Sequence, residues 1–161
     1  VGALQAFAMA EGVRVEHIKP HGALYVMCTQ EDSYAQAIAV AVREINIDLI
    51  LLLSSQRVAA AAKRVGIRFV MEGYIDLDYH AEGHILLERV KKSRDPNEVA
   101  KRAVTLAKDG KVPIQKGGWL PLKAKSLCIH GDGENAPAIA KTVRQHLRKT
   151  GFEIVPLRFL A

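Results

Sequence analysis

The stretch LILLLSSQRVAAAAKRVG, residues 49–66, decides the fold class. Its five opening residues are all apolar, which is typical of a parallel strand buried on both faces of a sheet. Ser54 and Ser55 follow as candidate N-caps, and residues 56–65 have the composition of a helix that Gly66 ends. A buried strand that runs directly into a capped helix is the repeating part of an α/β protein. The stretch therefore predicts an α/β fold.

The same alternation of strand and helix extends to both sides of this stretch. Asp95 is predicted to cap a helix that has Pro96 at its first position, which strengthens that assignment. Strands joined by helices lie parallel and have right-handed crossovers, so one α/β domain over residues 1–161 is expected. The further predicted strands are residues 13–18, 67–71, 126–129 and 152–157, and the further predicted helices are residues 2–10, 34–45, 96–108 and 135–149.

Composition and charge narrow the function classes. The chain has 161 residues, of which 49% are hydrophobic and 25% charged, as expected for a globular domain with a core. The formal net charge of +6 is spread over predicted helix faces that also carry acidic residues. The densest basic cluster, residues 89–94, contains no aromatic side chain that could stack on bases. Nucleic-acid binding is therefore not predicted.

Membrane insertion and secretion are not predicted either. The longest apolar runs, such as residues 47–53, are too short to cross a bilayer. The opening residues lack a charged leader followed by an apolar core and a cleavage site. Cys28 and Cys128 lie far apart in the sequence and outside any metal-ligand spacing. A cytoplasmic location is therefore expected.

Polar side chains follow four of the predicted strands. Because the carboxyl ends of parallel strands meet at one edge of a sheet, these side chains are expected to converge there. Imidazoles and carboxylates supply general acid–base catalysis, and a lysine stabilises developing negative charge. The set predicts a hydrolytic or ligase-like site. The candidate catalytic residues are Lys19, His21, Glu72, Asp76, His130 and Asp132, with Ser54 and Ser55 at the fourth strand end.

Other motif classes do not match. The sequence contains no phosphate-binding loop, no dinucleotide-binding glycine triplet and no nucleophile elbow of the Gly-x-Ser-x-Gly type. His80 and His84 have a metal-ligand spacing, but Gly83 between them breaks any helical pattern, so a metal site there is not predicted. The residues that would bind a cofactor therefore stay unassigned.

The candidate site lies within motifs that resemble a known family. Residues 18–25, IKPHGALY, resemble a signature of the LamB/YcsF family, and residues 128–132, CIHGD, are similar to a second motif of that family. Residues 72–76, EGYID, together with Tyr79, resemble a third. Shorter similarities occur at residues 2–6, 82–83, 110–112 and 155–157. The resemblance covers roughly the C-terminal two-thirds of the family's sequence.

The resemblance implies a fold, a reaction and partners. The fold is a (β/α) barrel of the glycoside hydrolase/deacetylase type, here incomplete at its N-terminus. The reaction is that of 5-oxoprolinase, the hydrolysis of 5-oxo-L-proline to L-glutamate with ATP as co-substrate, in which the A subunit works with B and C subunits. As hypotheses from side-chain chemistry rather than from the family, Lys19 would suit stabilisation of a phosphate or oxyanion, and His21 or His130 would suit proton transfer. The carboxylates, Asp132, Glu72 or Asp76, would orient water or a divalent metal ion.

Two alternatives stay open at this point. Leu77 and Glu88 stand where the family has arginines, and the resemblance does not cover the family's N-terminal part, which together favour a non-catalytic or degenerate assembly subunit. Gly133-Glu134 also departs from the family's Thr-Pro. Fold analogy alone suggests a metal-dependent carbohydrate deacetylase or hydrolase. Exposed strand edges of an incomplete barrel would favour a homo-oligomer or a separate N-terminal half as partner.

Overall fold

The computed structural model describes residues 1–86 and 93–161 of the chain, and Glu88 and most of the basic cluster at residues 89–94 lie outside the described residues. These residues form six α-helices and six β-strands in two compact units. The first unit is Val1–Met71 with Val155–Ala161, and the second is Glu72–Ile154. Among the described residues, no helix is both long and apolar enough to cross a membrane.

The first unit is an α/β layer built on parallel strands. In it β1 pairs with β2 (His17 beside Ile50), and β2 pairs with the first half of β3 (Leu51 beside Phe69), both in parallel. The α/β class predicted from residues 49–66 is therefore confirmed. Its elements are α1 (Gly2–Ala10), β1 (His17–Ile18), α2 (Gly22–Gln30), α3 (Asp32–Ile45), β2 (Ile50–Leu53), α4 (Gln56–Val65) and a 3-10 helix (Leu157–Phe159), with β3 (Phe69–Tyr74) running on into the second unit.

Strand β2 is buried on both faces, as its unbroken apolar run predicts. Leu51 and Leu53 pack into a core that α3 and α4 line with alanines and valines. Ile50 and Leu52 face the other way and pack with Val70 and the side chains near the chain end. The predicted caps of α4 are also confirmed, because Ser55 accepts a hydrogen bond from the N–H of Arg57 and Gly66 adopts the left-handed conformation.

The second unit places a helix directly against its strand pair. The second half of β3 pairs in parallel with β6, with Gly73 beside Leu127. A β-carbon at Gly73 would overlap Leu106 of α5, so only glycine lets the helix approach this closely. Helix α5 packs in turn against α6. The unit contains the end of β3, α5 (Pro96–Asp109), β4 (Lys111–Pro113), β5 (Trp119–Pro121), β6 (Ser126–Cys128) and α6 (Ala136–Lys149).

Several predicted boundaries were wrong. Helix α2 was not among the predicted helices, and it begins directly after His21 because the residues that follow favour a helix. The predicted strand at residues 152–157 is instead irregular chain leading into a 3-10 helix, and Pro156 there cannot donate to a ladder. The region after α5 contains the antiparallel hairpin β4–β5, although no strand was predicted there. Strand β3 continues to Tyr74, three residues beyond its predicted end.

Candidate active site

Asp76 and His130 form the most tightly connected polar pair in the second unit. The backbone N–H of His130 donates to Oδ2 of Asp76 at 2.6 Å. The ring nitrogen Nδ1 of His130 lies 3.0 Å from Oδ1 and 3.1 Å from Oδ2 of the same carboxylate. The side chains of Asp76 and His130 are 9% and 25% exposed respectively. One partly buried carboxylate therefore fixes both the backbone and the ring of the histidine.

The charge of Asp76 determines which ring nitrogen of His130 carries a proton. Burial alone would raise the pKa of the Asp76 carboxyl, but the hydrogen bonds from the ring and backbone of His130 outweigh burial and hold that pKa below its ordinary value. An ionised carboxylate only accepts hydrogen bonds, so Nδ1 of His130 must carry the proton. In the neutral imidazole Nε2 is then the nitrogen with a lone pair. His130 is thus oriented as a proton acceptor at Nε2.

Tyr74 supports the same histidine from its ring face. The ring centroids of Tyr74 and His130 lie 5.7 Å apart, and their planes make an angle of 21°. This is an offset-stacked geometry, which aromatic rings favour. The imidazole is therefore held by a carboxylate at one edge and by a buried aromatic ring on one face.

The strand register explains why these groups meet. Glu72 lies beside Ser126 and Tyr74 beside Cys128 in the parallel β3–β6 pair. Side chains alternate between the two faces of a sheet, so Glu72 and Tyr74 lie on the face opposite to Gly73, which α5 covers. Continuing the alternation by two residues on each strand places Asp76 beside His130. The second unit thus has a polar row on one face of its strand pair and an apolar helix interface on the other.

Glu72 is not where the sequence predicted it. The prediction put it beyond the end of a strand, but β3 extends to Tyr74 and Glu72 lies within it, only 5% exposed. Its carboxylate is the one buried charged side chain among the described residues. The predicted strand ended too early, before Glu72, because glutamate and glycine are both uncommon inside strands.

Asp78 anchors the chain just after the Asp76–His130 pair. Arg94 donates to both carboxylate oxygens of Asp78, at 3.3 and 3.2 Å, and Arg102 donates to Oδ1 at 2.8 Å. Arg102 also donates to the carbonyl oxygen of Leu77. Burial would raise the pKa of the Asp78 carboxyl, but the two guanidinium groups outweigh it and lower that pKa. The segment after Asp76 is therefore attached to α5.

Lys19 and His21 belong to the first unit. Lys19 directly follows β1 and is half-buried, Pro20 is buried, and His21 is the exposed N-cap residue of α2. One turn into that helix, the hydroxyl of Tyr25 hydrogen-bonds to the hydroxyl of Ser54, which follows β2. This contact connects α2 to the carboxyl end of β2. Ser55, by contrast, is the helix cap that the sequence predicts.

Of the six predicted site residues, the structure brings Asp76 and His130 into contact. Asp132 is exposed two residues beyond His130. The convergence of Lys19 and His21 with the other four at one edge stays a prediction. Within residues 1–86 and 93–161, no cluster of three or more His, Cys, Asp or Glu side chains could hold a metal ion.

Two tyrosines of the site were not predicted from the sequence. Tyr74 stacks on His130, and the hydroxyl of Tyr79 accepts a hydrogen bond from the backbone N–H of Tyr74. The period of two along residues 72–76 and 126–130 could have identified Tyr74, because it places that residue between Glu72 and Asp76 on one face. The contact of Tyr79 depends on the conformation of a loop, which the spacing of apolar and polar residues does not predict.

Known proteins similar to this chain support the family resemblance. The LamB/YcsF family model matches residues 1–161. Proteins named as the A subunit of 5-oxoprolinase, from Pyrococcus horikoshii and Heliobacterium modesticaldum, are each 38% identical to the chain, over 98% and 96% of its length. The chain spans 63% and 62% of the length of these two relatives.

The fold agrees as well. A crystal structure of a lactam utilization protein from Thermus thermophilus superimposes with a TM-score of 0.84 at 36% sequence identity. The superposition covers 96% of this chain and 62% of that one. With a family model that matches the whole printed sequence and a similar solved structure, the chain belongs to the LamB/YcsF family.

Proposed function

We propose that this chain acts in ATP-dependent hydrolysis of 5-oxo-L-proline to L-glutamate, as all or part of the A subunit of a 5-oxoprolinase. Two kinds of observation support the proposal. Relatives at 38% identity are named as that A subunit, and a similar structure is that of a lactam utilization protein. The observation that carries it is the Asp76–His130 pair, which presents an oriented imidazole of the kind that general acid–base catalysis uses.

The chemistry explains why ATP would be needed. A lactam carbonyl is a poor electrophile, so its oxygen first attacks the γ-phosphorus of ATP and ADP leaves. Water then adds to the activated carbon, and the ring opens as the carbon–nitrogen bond breaks and the nitrogen takes up a proton. The resulting acyl phosphate consumes a second water molecule and gives the carboxylate and inorganic phosphate. One lactam, one ATP and two waters thus yield glutamate, ADP and phosphate.

Residues of this chain would move the protons in these steps. Nε2 of His130 would accept a proton from the attacking water and return it to the leaving nitrogen, while Asp76 stabilises the imidazolium formed in between. Lys19 would stabilise the phosphate or oxyanion charge, and His21 is a second candidate for proton transfer. Glu72 and Asp132 would orient water. The contact between Asp76 and Nδ1 of His130, from which the tautomer is inferred, supports the role given to His130.

The assembly and the larger fold are part of the same proposal. We place the chain with B and C partner subunits, in the cytoplasm, as a single domain with a (β/α) barrel fold of the glycoside hydrolase/deacetylase type. A homo-oligomer, or a separate N-terminal half as partner, belongs to the same proposal. A divalent metal ion finds no three-ligand cluster in the part of the chain that the structure describes, so no step is assigned to one.

A release assay tests the proposal directly. The chain, with any further segment that its gene encodes, is combined with its B and C partners, 5-oxo-L-proline and ATP, and glutamate and phosphate are measured. Equal amounts of both products, dependent on ATP and on this chain, are expected. Glutamate formation that is the same without this chain, or no formation at all by the complete assembly, contradicts the proposal.

A second candidate is a non-catalytic assembly role, and Leu77 favours it. Where the family has an arginine, this chain has a leucine that is buried in the second unit and cannot supply a charge. If the chain only supports assembly, a His130→Gln variant forms the complex and turns over substrate as the unsubstituted chain does. Loss of turnover in an intact complex excludes this candidate.

A further inference from the structure

The hydroxyl of Tyr79 contacts the backbone of the strand that carries the candidate site. It accepts a hydrogen bond from the N–H of Tyr74 at 2.8 Å, and both residues are 3% exposed. Tyr74 is the last residue of β3, so the contact lies at the point where the strand ends. A buried backbone N–H must have an acceptor, and here a side chain five residues further along provides it.

The position of this N–H in the ladder shows what the hydroxyl replaces. Successive N–H groups of a strand point to opposite edges, and that of Ile75 points towards β6, where it donates to the carbonyl of Cys128. The N–H of Tyr74 therefore points to the other edge. The paired register at that edge of β3 ends at Met71. Beyond the last paired residue, the Tyr79 hydroxyl thus supplies the acceptor that a neighbouring strand would otherwise provide.

Tyr79 is itself held in place by its surroundings. Its carbonyl oxygen accepts a hydrogen bond from the N–H of Gln115 at 3.0 Å. Its backbone forms isolated bridges to Ile85 and to Ile114. The preceding residue, Asp78, is bonded to Arg94 and Arg102. The hydroxyl is therefore presented by a fixed segment.

Tyr74 passes this constraint to the site in two ways. Its ring stacks on the imidazole of His130, and its backbone leads through Ile75 to Asp76. We propose that Tyr79 is a positioning residue, whose hydroxyl fixes the end of β3 so that Tyr74 and Asp76 hold His130 in one orientation. The effect on turnover rests on the proposed function, whereas the effect on the geometry does not.

Amide hydrogen exchange of the Tyr79→Phe variant tests the geometric part. Removing the hydroxyl leaves the aromatic ring but takes the acceptor from Tyr74, so the amides of Tyr74 and His130 are expected to exchange about tenfold faster. The His130 amide is decisive, because the acceptor of its N–H is Asp76 and not the Tyr79 hydroxyl. The Tyr34→Phe variant, in α3, is the matched control and is expected to leave both amides unchanged.

The outcomes separate a positioning role from general stabilisation. Faster exchange at Tyr74 and His130, with the amides of α5 and α6 unchanged, supports the proposal. A uniform increase across α5 and α6, or an unchanged His130 amide, overturns it. If Tyr79→Phe does not fold, amide exchange of the unsubstituted chain is measured at increasing denaturant concentration instead. The proposal requires the Tyr74 and His130 amides to exchange through one shared opening, so their exchange rates must have the same denaturant dependence. Different denaturant dependences of the two amides would show that they exchange through separate openings, and that result overturns the proposal.

Turnover gives an independent readout in the complete assembly. Tyr79→Phe is expected to lower kcat about tenfold with little change in KM, because the hydroxyl orients His130 rather than contacting substrate. An unchanged kcat in an assembly that releases glutamate overturns the positioning role. If the unsubstituted assembly releases none, the proposed function fails while the exchange experiment still decides the geometry.

Discussion

The carboxylate of Asp76 bonds both the backbone N–H and the ring Nδ1 of His130, a residue 54 positions later in the chain. A double contact of this kind fixes the side chain and the main chain of the histidine at once. It links the end of β3 to the end of β6, which are neighbours in the parallel sheet of the second unit. The candidate site therefore depends on strand pairing as much as on the two side chains.

The first prediction concerns the stability that this pair contributes. Asp76→Asn removes the negative charge from hydrogen bonds that are stronger when charge-assisted, and it leaves a partly buried amide whose NH₂ group faces another donor. The free energy of unfolding at neutral pH is expected to fall by about 1–3 kcal/mol. Urea denaturation measures it, with the exposed Asp109→Asn as control. Equal losses in the two variants would contradict the account.

The second prediction is the pH dependence of stability. The pKa of Asp76 and that of Asp78 are both lowered in the folded chain, so their contribution is present above the unfolded carboxyl pKa of about 3.9 and is lost as the pH falls through the folded values. Thermal unfolding between neutral pH and a pH of about 2 is expected to show this loss. In Asp76→Asn the loss in that acid range should be smaller. An identical pH profile for the variant would show that Asp76 contributes nothing to it.

The third prediction concerns the close approach of α5 to β3. Gly73→Ala introduces a β-carbon that overlaps Leu106, and it is expected to destabilise the chain by about 1–3 kcal/mol. The double variant with Leu106→Ala should lose less than the sum of the two single losses, because the truncation of the buried Leu106 removes the atoms that the new β-carbon overlaps. Gly2→Ala, where the added carbon has open space, is the control. Destabilisation that is additive in the double variant would contradict the packing described.

The fourth prediction concerns the hydroxyl pair in the first unit. Tyr25→Phe and Ser54→Ala each remove one side of the hydrogen bond between α2 and the end of β2, and each should cost about 1 kcal/mol. A double-mutant cycle measures the coupling, which should equal most of either single loss. Ser55→Ala, which removes the cap of α4, should show no coupling to Tyr25→Phe. Coupling in that control pair would indicate a different arrangement.

The sequence patterns that were decisive share a local cause. The apolar run at residues 49–53 suits only a strand that is buried on both faces, and Ser55 and Gly66 have well-defined capping roles. For these reasons the bounds of β2 and α4 were predicted to within one residue. Helix α5 was predicted equally well from Asp95 and Pro96. Asp76 and His130 could be named as site residues because both follow parallel strands.

What could not be predicted depends on distant partners. Glu72 and Gly73 weaken a strand on propensity grounds, yet pairing with β6 and packing of Leu106 extend β3 through them. Helix α1 has the predicted bounds, but every residue of that helix is at least partly exposed and Phe7 is 73% exposed, which its apolar composition does not indicate. The contact of Tyr79 with Tyr74 arises from a loop in which Asp78 is bonded to Arg94, just before α5, and to Arg102 within that helix. None of these contacts has a signature in the local sequence.

The central claim is that His130, oriented by Asp76, transfers protons during lactam hydrolysis. Glutamate release by the complete assembly containing His130→Gln, compared with His146→Gln, tests it most directly. Both histidines make a hydrogen bond through Nδ1, but His146 bonds only a helix carbonyl in α6. The account predicts a kcat about 100-fold lower for His130→Gln and an unchanged kcat for His146→Gln. Equal turnover by the two variants would contradict it.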